Sequence, residues 1–279
     1  MHCEKLAMKK IFITIKRKSK VLKYNMRGKV PWSPGYVEAR EEVILKSISS
    51  FTWLQKGLPK GYGVGFDERV VEIPWAYHGI GTKKGLLWDV GSVFNQESFL
   101  KHEKLENRKI IISNLNPEVK NFNRLNVSYL YENAVETVLQ DDIVSDIVCV
   151  STLEHIGFNN ERYSGLIYKK NKPEMYLKAI NVFKRKLIRG GKLHLTVPFG
   201  KRADQNWFQV FDQKMINNII EAFIPINAKT TIFFCGRDGW EISDSEKCRN
   251  CVFYDWRYPV EKNVKTAGSQ AVACLTLQK

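Results

Sequence analysis

The stretch Asp146–Gly157 reads DIVCVSTLEHIG, and its reading decides the fold. Ile147 to Ser151 suit a buried strand, and they run through Thr152 and Leu153 straight into Glu154 and His155. Parallel strands covered on both faces read as near-continuous apolar runs. In open α/β sheets the ligand sits in the crevice beyond the strands' carboxyl ends. A Glu–His pair at that place is either site chemistry or a solvated loop. Working outward, the chain alternates strand and helix from Gly85 onward, the signature of a parallel sheet. LLWDVG (86–91), KIIISNL (109–115), Asn126–Tyr131, DIVCVS (146–151), KLHLTVPFG (192–200), Thr230–Phe234 and AVACLTL (271–277) read as strands. Gln96–Lys104, Pro173–Ile188 and Asp212–Phe223 read as helices, the second ending at Arg189-Gly190-Gly191, a C-cap signal.

The segment before Gly85 reads differently. Residues 1–30 suggest a short strand (Ile11–Ile15) or a loose basic arm, and Pro34-Gly35 opens a helix over Tyr36–Ser50. GLPKGYGVGFDERVVEIPW then reads as loop-rich. The expected division is therefore 1–84, a basic arm with a helical lid, and 85–279, one α/β domain.

Composition narrows the function classes. The 279 residues include 44% apolar and 12% aromatic types, enough for a sizeable core and unlike a disordered chain. No apolar run approaches the ~20 residues of a membrane helix. The N-terminus has no apolar core of secretory length, so a cytoplasmic protein is expected. A net charge of +15, from 44 Lys/Arg against 29 Asp/Glu, favours anionic partners: nucleic acid, a phospholipid surface or phosphate-bearing substrates. Part of that excess lies in Lys9–Lys29, where a solvated basic arm is the simpler reading. Six cysteines are scattered, and Cys248-Arg-Asn-Cys251 lacks a second CxxC or a nearby His, so ordinary reduced thiols are expected and no metal.

Two glycine-bearing segments compete for a nucleotide. GYGVGF (61–66) has glycine-loop spacing without a preceding strand and reads as a turn. LLWDVGS (86–92) is an apolar strand ending in Asp-x-Gly ahead of a helix, where glycine allows close backbone approach to a ligand.

LLWDVGS, IIISNLNP, DIVCVSTLEHIG and GGKLHLTVPFG occur in this order and at spacings that resemble the class I S-adenosylmethionine-dependent methyltransferases. The likeness runs from about Gly85 to the end. PWSPGYVEAR, GYGVGFDERVVEIPW, DVGSVFN, NWFQVFD and ACLTL further resemble a subfamily associated with surface-glycan biosynthesis and small-molecule acceptors. The resemblance implies a Rossmann-like, mostly parallel sheet of seven strands with the last antiparallel, helices on both faces and a short N-terminal lid. It implies S-adenosyl-L-methionine as cofactor, held by Asp89, Val90, Gly91 and Ser92 after the first strand and by Asn114 and Leu115 after the second. Asn133, or a position within two of it, would meet the adenine, and Ser151, Thr152 and Leu153 would wall the methionine end. The chain departs from the family at two of these places. Gly91 stands alone where two or three glycines are usual, and Asn114 replaces the acid that grips the ribose hydroxyls. An amide still accepts and donates, without charge assistance.

His155, with Glu154 beside it, is the candidate to take a proton from a substrate hydroxyl, and cofactor-wall architecture is the competing role. His194, inside KLHLTVP, reads as a hydrogen-bonded core residue. Trp207, in the segment after the fifth strand, and Tyr36 and Arg40 of the lid are the candidates for acceptor recognition; Asp67, Glu68 and Arg69 belong to the same lid group, for which surface ion pairing is the simpler reading. The expected reaction is methyl transfer to an oxygen, or a nitrogen, of a small-molecule or saccharide acceptor, phosphorylated and lipid-linked ones included. The alternatives are a nucleic-acid methyltransferase, motivated by the charge, and a scaffold that has lost its cofactor. A dinucleotide enzyme is disfavoured, because the glycine fingerprint is missing where the first strand ends.

Overall fold

The computed structural model describes residues 2–50, 57–81, 85–161, 171–254 and 268–279, with backbone alone for 2–11 and 13. Eight strands form the main sheet: β1 (Leu87–Val90), β2 (Ile110–Asn114), β3 (Val127–Tyr131), β4 (Val144–Val150), β5 (Leu187–Pro198), β8 (Asn227–Gly236), β9 (Gly239–Ser243) and β10 (Ala271–Gln278). Their spatial order is β3-β2-β1-β4-β5-β10-β8-β9. β1 to β5 pair in parallel, and β10 enters antiparallel between β5 and β8. The sheet is one strand wider than the seven expected. The Gly236–Gly239 hairpin turns the chain back along β8, with Gly239 in the left-handed region, and adds β9 as an edge. β6 (Ala203–Asp204) and β7 (Gln209–Val210) form a separate small ribbon.

Each strand's alternation feeds two cores. Leu87, Val148, Val150, Val272 and Cys274 pack on one face with helices α2 (Tyr36–Ile48) and α3 (Arg69–Gly79). Trp88, Ile147, Cys149, Ala273 and Leu275 pack on the other with α5 (Met175–Lys186) and α6 (Gln213–Phe223). The buried, thiol-bearing Cys149 and Cys274 sit among these residues, and burial pushes both thiols well above the usual range. Cys3 lies outside the described side chains.

Four elements differ from the sequence reading. The N-terminal strand or arm is a helix, α1 (His2–Met26), lying across α2. Its run of Lys, Leu, Met and Ile carries no breaker before Gly28, so helix propensity and the docking of Tyr24 decide it. The GLPK…EIPW segment contains α3, hidden because Pro74 interrupts its pattern. Proline cannot bond the Val70 carbonyl one turn back, and the Tyr62 hydroxyl donates to that carbonyl instead at 2.6 Å. The expected helix 96–104 shrinks to α4 (Glu97–Leu100), with turns beyond it. Finally, α5 stops at Lys186, and Arg189-Gly190-Gly191 is an irregularity inside β5 rather than a helix cap. The last short helix is α7 (Ser245–Cys248).

At the sheet end where β1, β4 and β5 begin, Asp146 accepts from Arg108 (2.5 Å), the Gly81 amide (3.3 Å) and His194 Nε2 (3.3 Å). His194 is thus a fully buried core histidine, as expected of it.

Candidate active site

At the opposite end, the strands' carboxyl termini open onto a cavity of about 240 Å³. Its floor is the end of β1. Gly91 turns there with φ +93°, and a Cβ on it would overlap the Thr152 hydroxyl, so only glycine lets the two strand ends close up. Asp89 does not reach the cavity. It is fully buried, accepts from the Val93 and Phe94 amides at 3.1 and 2.8 Å, and shapes the turn that presents Gly91. Burial pushes its carboxyl up to about 7.

One wall is polar and acceptor-rich. Asn114, at the end of β2, donates to Glu118 (2.9 Å) and accepts from the Leu115 amide (2.9 Å), which fixes the plane of its amide. After β3 come Glu132 and Asn133. Asn133 caps a short helical turn through the Val135 amide. Glu132 accepts from the Val138 amide with one oxygen, and its other oxygen, Oε1, is buried with no hydrogen-bond partner among the described residues. An orphaned carboxylate oxygen beside a cavity is an acceptor waiting for a donor.

The far wall is cationic. Arg69, the first residue of α3, lines the cavity and is held by Glu72 at 2.6 Å. Glu72 is wholly buried and is the hub of this region: the Ser151 hydroxyl donates to it at 2.8 Å and the Thr196 hydroxyl at 2.7 Å. Thr196 also receives the Ser151 amide, at 3.0 Å. One carboxylate thus ties α3, the end of β4 and β5 together and aims Arg69 across the strand ends. Ser151 and Thr152 line the cavity, whereas Leu153 is buried in the core behind them.

His155 lines the cavity with Ile156, Gly157, Asn160, Lys172 and Met175. Its Nδ1 faces the Trp207 carbonyl at 2.9 Å. A carbonyl can only accept, so Nδ1 carries the proton. The Trp207 ring stacks on the imidazole at 5.0 Å between centroids. Burial pushes the imidazolium down to about 4. Glu154 is buried and does not line the cavity; it lies near Glu72, Arg69 and Glu68, and burial raises its carboxyl well above the usual range.

A second cavity adjoins the first across Arg69, Gly91, Ser151 and Thr152, and α2 supplies its outer wall through Val37, Arg40 and Glu41. Ser92 and Arg40 line this chamber, and Arg40 is paired with Asp67. Tyr36 does not line it. Its ring is buried with Tyr24 and Phe66, and its hydroxyl accepts from the Asp67 amide. Of the residues singled out from sequence, Val90, Gly91, Asn114, Leu115, Asn133, Ser151, Thr152 and His155 meet around the main cavity. Asp89, Leu153, Glu154 and Tyr36 stand behind it, and Trp207 covers His155. Sequence reasoning passed over Glu72, placed Arg69 only among the ion-paired lid residues, and reached Glu132 only as a position within two of Asn133. Glu132 had a legible signal, an acid directly after a strand, but Arg69 and Glu72 sat in a segment read as loop.

Sheet order, the antiparallel β10 and the cavity at the strand ends define a Rossmann-like fold of the class I methyltransferase type. No protein-family model matches the sequence, and no curated protein does. Among solved structures the chain is similar to a SAM-dependent methyltransferase from Archaeoglobus fulgidus (15% identity, 70% of this chain and 86% of that one, TM-score 0.42). It is also similar to a possible histamine N-methyltransferase from Thermotoga maritima (12%, 85% and 99%, 0.45). A third is the 1,6-didemethyltoxoflavin-N1-methyltransferase of Burkholderia thailandensis (10%, 96% and 88%, 0.44). Identities and scores this low leave the chemistry to the residues that line the cavity.

Proposed function

We propose that this protein is an S-adenosylmethionine-dependent methyltransferase acting on an oxygen, or a nitrogen, of a small-molecule or saccharide acceptor. The observation that carries the reading is the polarity of the main cavity: acceptors (Asn114, Glu132, Asn133) at one end, a fixed cation (Arg69) at the other, and a side-chain-free floor at Gly91 between them. S-adenosylmethionine has the matching order, with ribose hydroxyls and an adenine amine at one end and a carboxylate at the other. The unpartnered Glu132 oxygen fits it, and so does the bare Gly91 backbone that lines the cavity.

When bound, the cofactor supplies an electrophilic methyl group on a sulfonium. The chain's own residues then bind, orient and exclude water. Asn114, Glu132 and Asn133 receive the hydroxyl and amine donors, and Glu118 holds the Asn114 amide in the plane that does so. Arg69, kept in place by Glu72, pairs with the carboxylate. Ser151 and Thr152 flank the reacting end. The neutral His155 ring, under Trp207, closes the side of the cavity and orients the acceptor; with its pKa near 4 it is a weak base at neutral pH. Glu154 supports that loop from behind the cavity. Trp207 and Arg40 lie where an acceptor would enter, with Tyr36 backing Arg40. Residues 1–84 act as the lid, over the cytoplasmic α/β domain of 85–279.

Calorimetric titration with S-adenosylmethionine, S-adenosylhomocysteine and NAD tests the reading. The first two are expected to bind and NAD is not. Arg69→Ala should weaken the first two by about tenfold or more, the loss of one charge-assisted hydrogen bond. Gly91→Val should abolish both. No heat with any of the three, in protein that unfolds cooperatively, would sink the enzyme and leave the scaffold.

A further inference from the structure

The outer face of α1 plays no part in the fold. At 3.6 residues per turn, Phe12, Ile15, Leu22 and Met26 fall within an arc of about 80°. Their exposures are 68%, 60%, 60% and 77%. Tyr24 and Val21 lie on the opposite side of the helix and pack into the core. Arg17 and Lys20 also face inward, onto Glu41 and Glu38 of α2. The stripe is bordered by exposed Lys23 and Lys16 on one flank and exposed Lys18 on the other. Beyond the helix, Val30 (52%) and Trp32 (44%) continue the apolar surface toward α2.

Four large apolar side chains left in water on one line of a helix mark an interaction surface, since scattered single ones would need no explanation. Lysines along both borders choose the partner. A second copy would bring lysine rows against lysine rows, whereas an anionic lipid surface takes the apolar stripe into its acyl boundary and the ammonium groups at its headgroups. No described helix is long and apolar enough to cross a membrane, so the contact lies in the plane of the surface.

We propose that α1 docks this protein onto anionic lipid membranes through the Phe12–Ile15–Leu22–Met26 stripe and its lysine borders. The helix packs on α2, which walls the second chamber. Binding is read without cofactor, so its failure and that of the methyltransferase reading are separable.

The experiment is sedimentation of the full chain with phosphatidylcholine vesicles, with and without about 30 mol% phosphatidylserine. Binding is expected to the anionic vesicles alone and to fall steeply as salt rises past about 0.15 M. Lys16→Glu, Lys18→Glu and Lys23→Glu combined should weaken it about a hundredfold. Phe12→Ser, Ile15→Ser, Leu22→Ser and Met26→Ser combined should weaken it at least about tenfold with an unchanged melting temperature, because these side chains are already in water. Absence of binding, or variants that bind like the parent, would overturn the proposal. So would light scattering that shows a dimer lost in the serine variant while vesicle binding persists.

Discussion

His155 shows how a single side chain's environment changes its chemistry. Its type and position, at a strand mouth, suit a proton acceptor. The tertiary structure lays Trp207 over it and spends Nδ1 on a carbonyl. A histidine pushed from 6.5 to about 4 binds fewer protons folded than unfolded. Its contribution to stability is therefore fully present above about pH 6.5 and is lost as pH falls through 4. An NMR titration of the His155 ring should find a midpoint near 4; a midpoint near 6.5 would restore it as a general base. The signal for Asp89 was misleading in the same way: an acid at the end of the first strand reads as a ligand, yet its oxygens are taken by the Val93 and Phe94 amides.

Among the elements, α1 was the hardest to place, whereas α2 was readable from its Pro34-Gly35 start. The close approach of the two helices depends on Gly35, which sits in the left-handed region at φ +96° beside the Lys20 carbonyl. A Cβ there would overlap that carbonyl. Gly35→Ala should therefore open the α1–α2 contact while leaving the sheet intact. Limited proteolysis is expected to cut near residues 27–34 faster in the variant; an unchanged cleavage rate would mean that the helices adjust around the methyl group. α3 illustrates the converse problem. Pro74 marked it as non-helical by local rules, and a hydroxyl from Tyr62, twelve residues earlier in the chain, makes it tolerable. By contrast, Asp212 was readable as the start of α6, since its side chain caps the Met215 amide as such residues do.

Across the whole molecule, the two ends of the sheet do different work. The cavity end leaves polar groups free to meet a ligand, and the other end satisfies them internally. There Arg108, Asp146 and His194 join the entry to β1 with β4 and β5, and Arg108 is 1% exposed. Burial alone would raise the Asp146 carboxyl, but hydrogen bonds and charge from His194 and Arg108 outweigh it and hold it down to about 2. Its stabilising effect is present above the unfolded value near 3.8 and is lost as pH falls through 2. Asp146→Asn leaves the guanidinium buried without its counter-charge, which costs about 3 kcal/mol. Urea unfolding at neutral pH measures that loss, and a change under about 1 kcal/mol would show that water replaces the carboxylate.

The sequence by itself determined the strand–helix alternation, the position of each central strand within a few residues, the antiparallel close of the sheet and most of the cavity's floor. The strand positions rest on local periodicity, the antiparallel close on the family resemblance, and the cavity floor on residues that follow a strand directly, as Gly91 follows β1 and Ser151 follows β4. Only the tertiary structure decided the rest. Arg69 and Glu72 reach the site from a helix whose local pattern is broken by Pro74. Glu154 and Leu153 turn inward although they adjoin residues that turn outward. The exposed stripe of α1 became visible only once its opposite face was seen to be committed to the core. In each case the deciding interaction joins residues far apart in the chain, and no local pattern carries it.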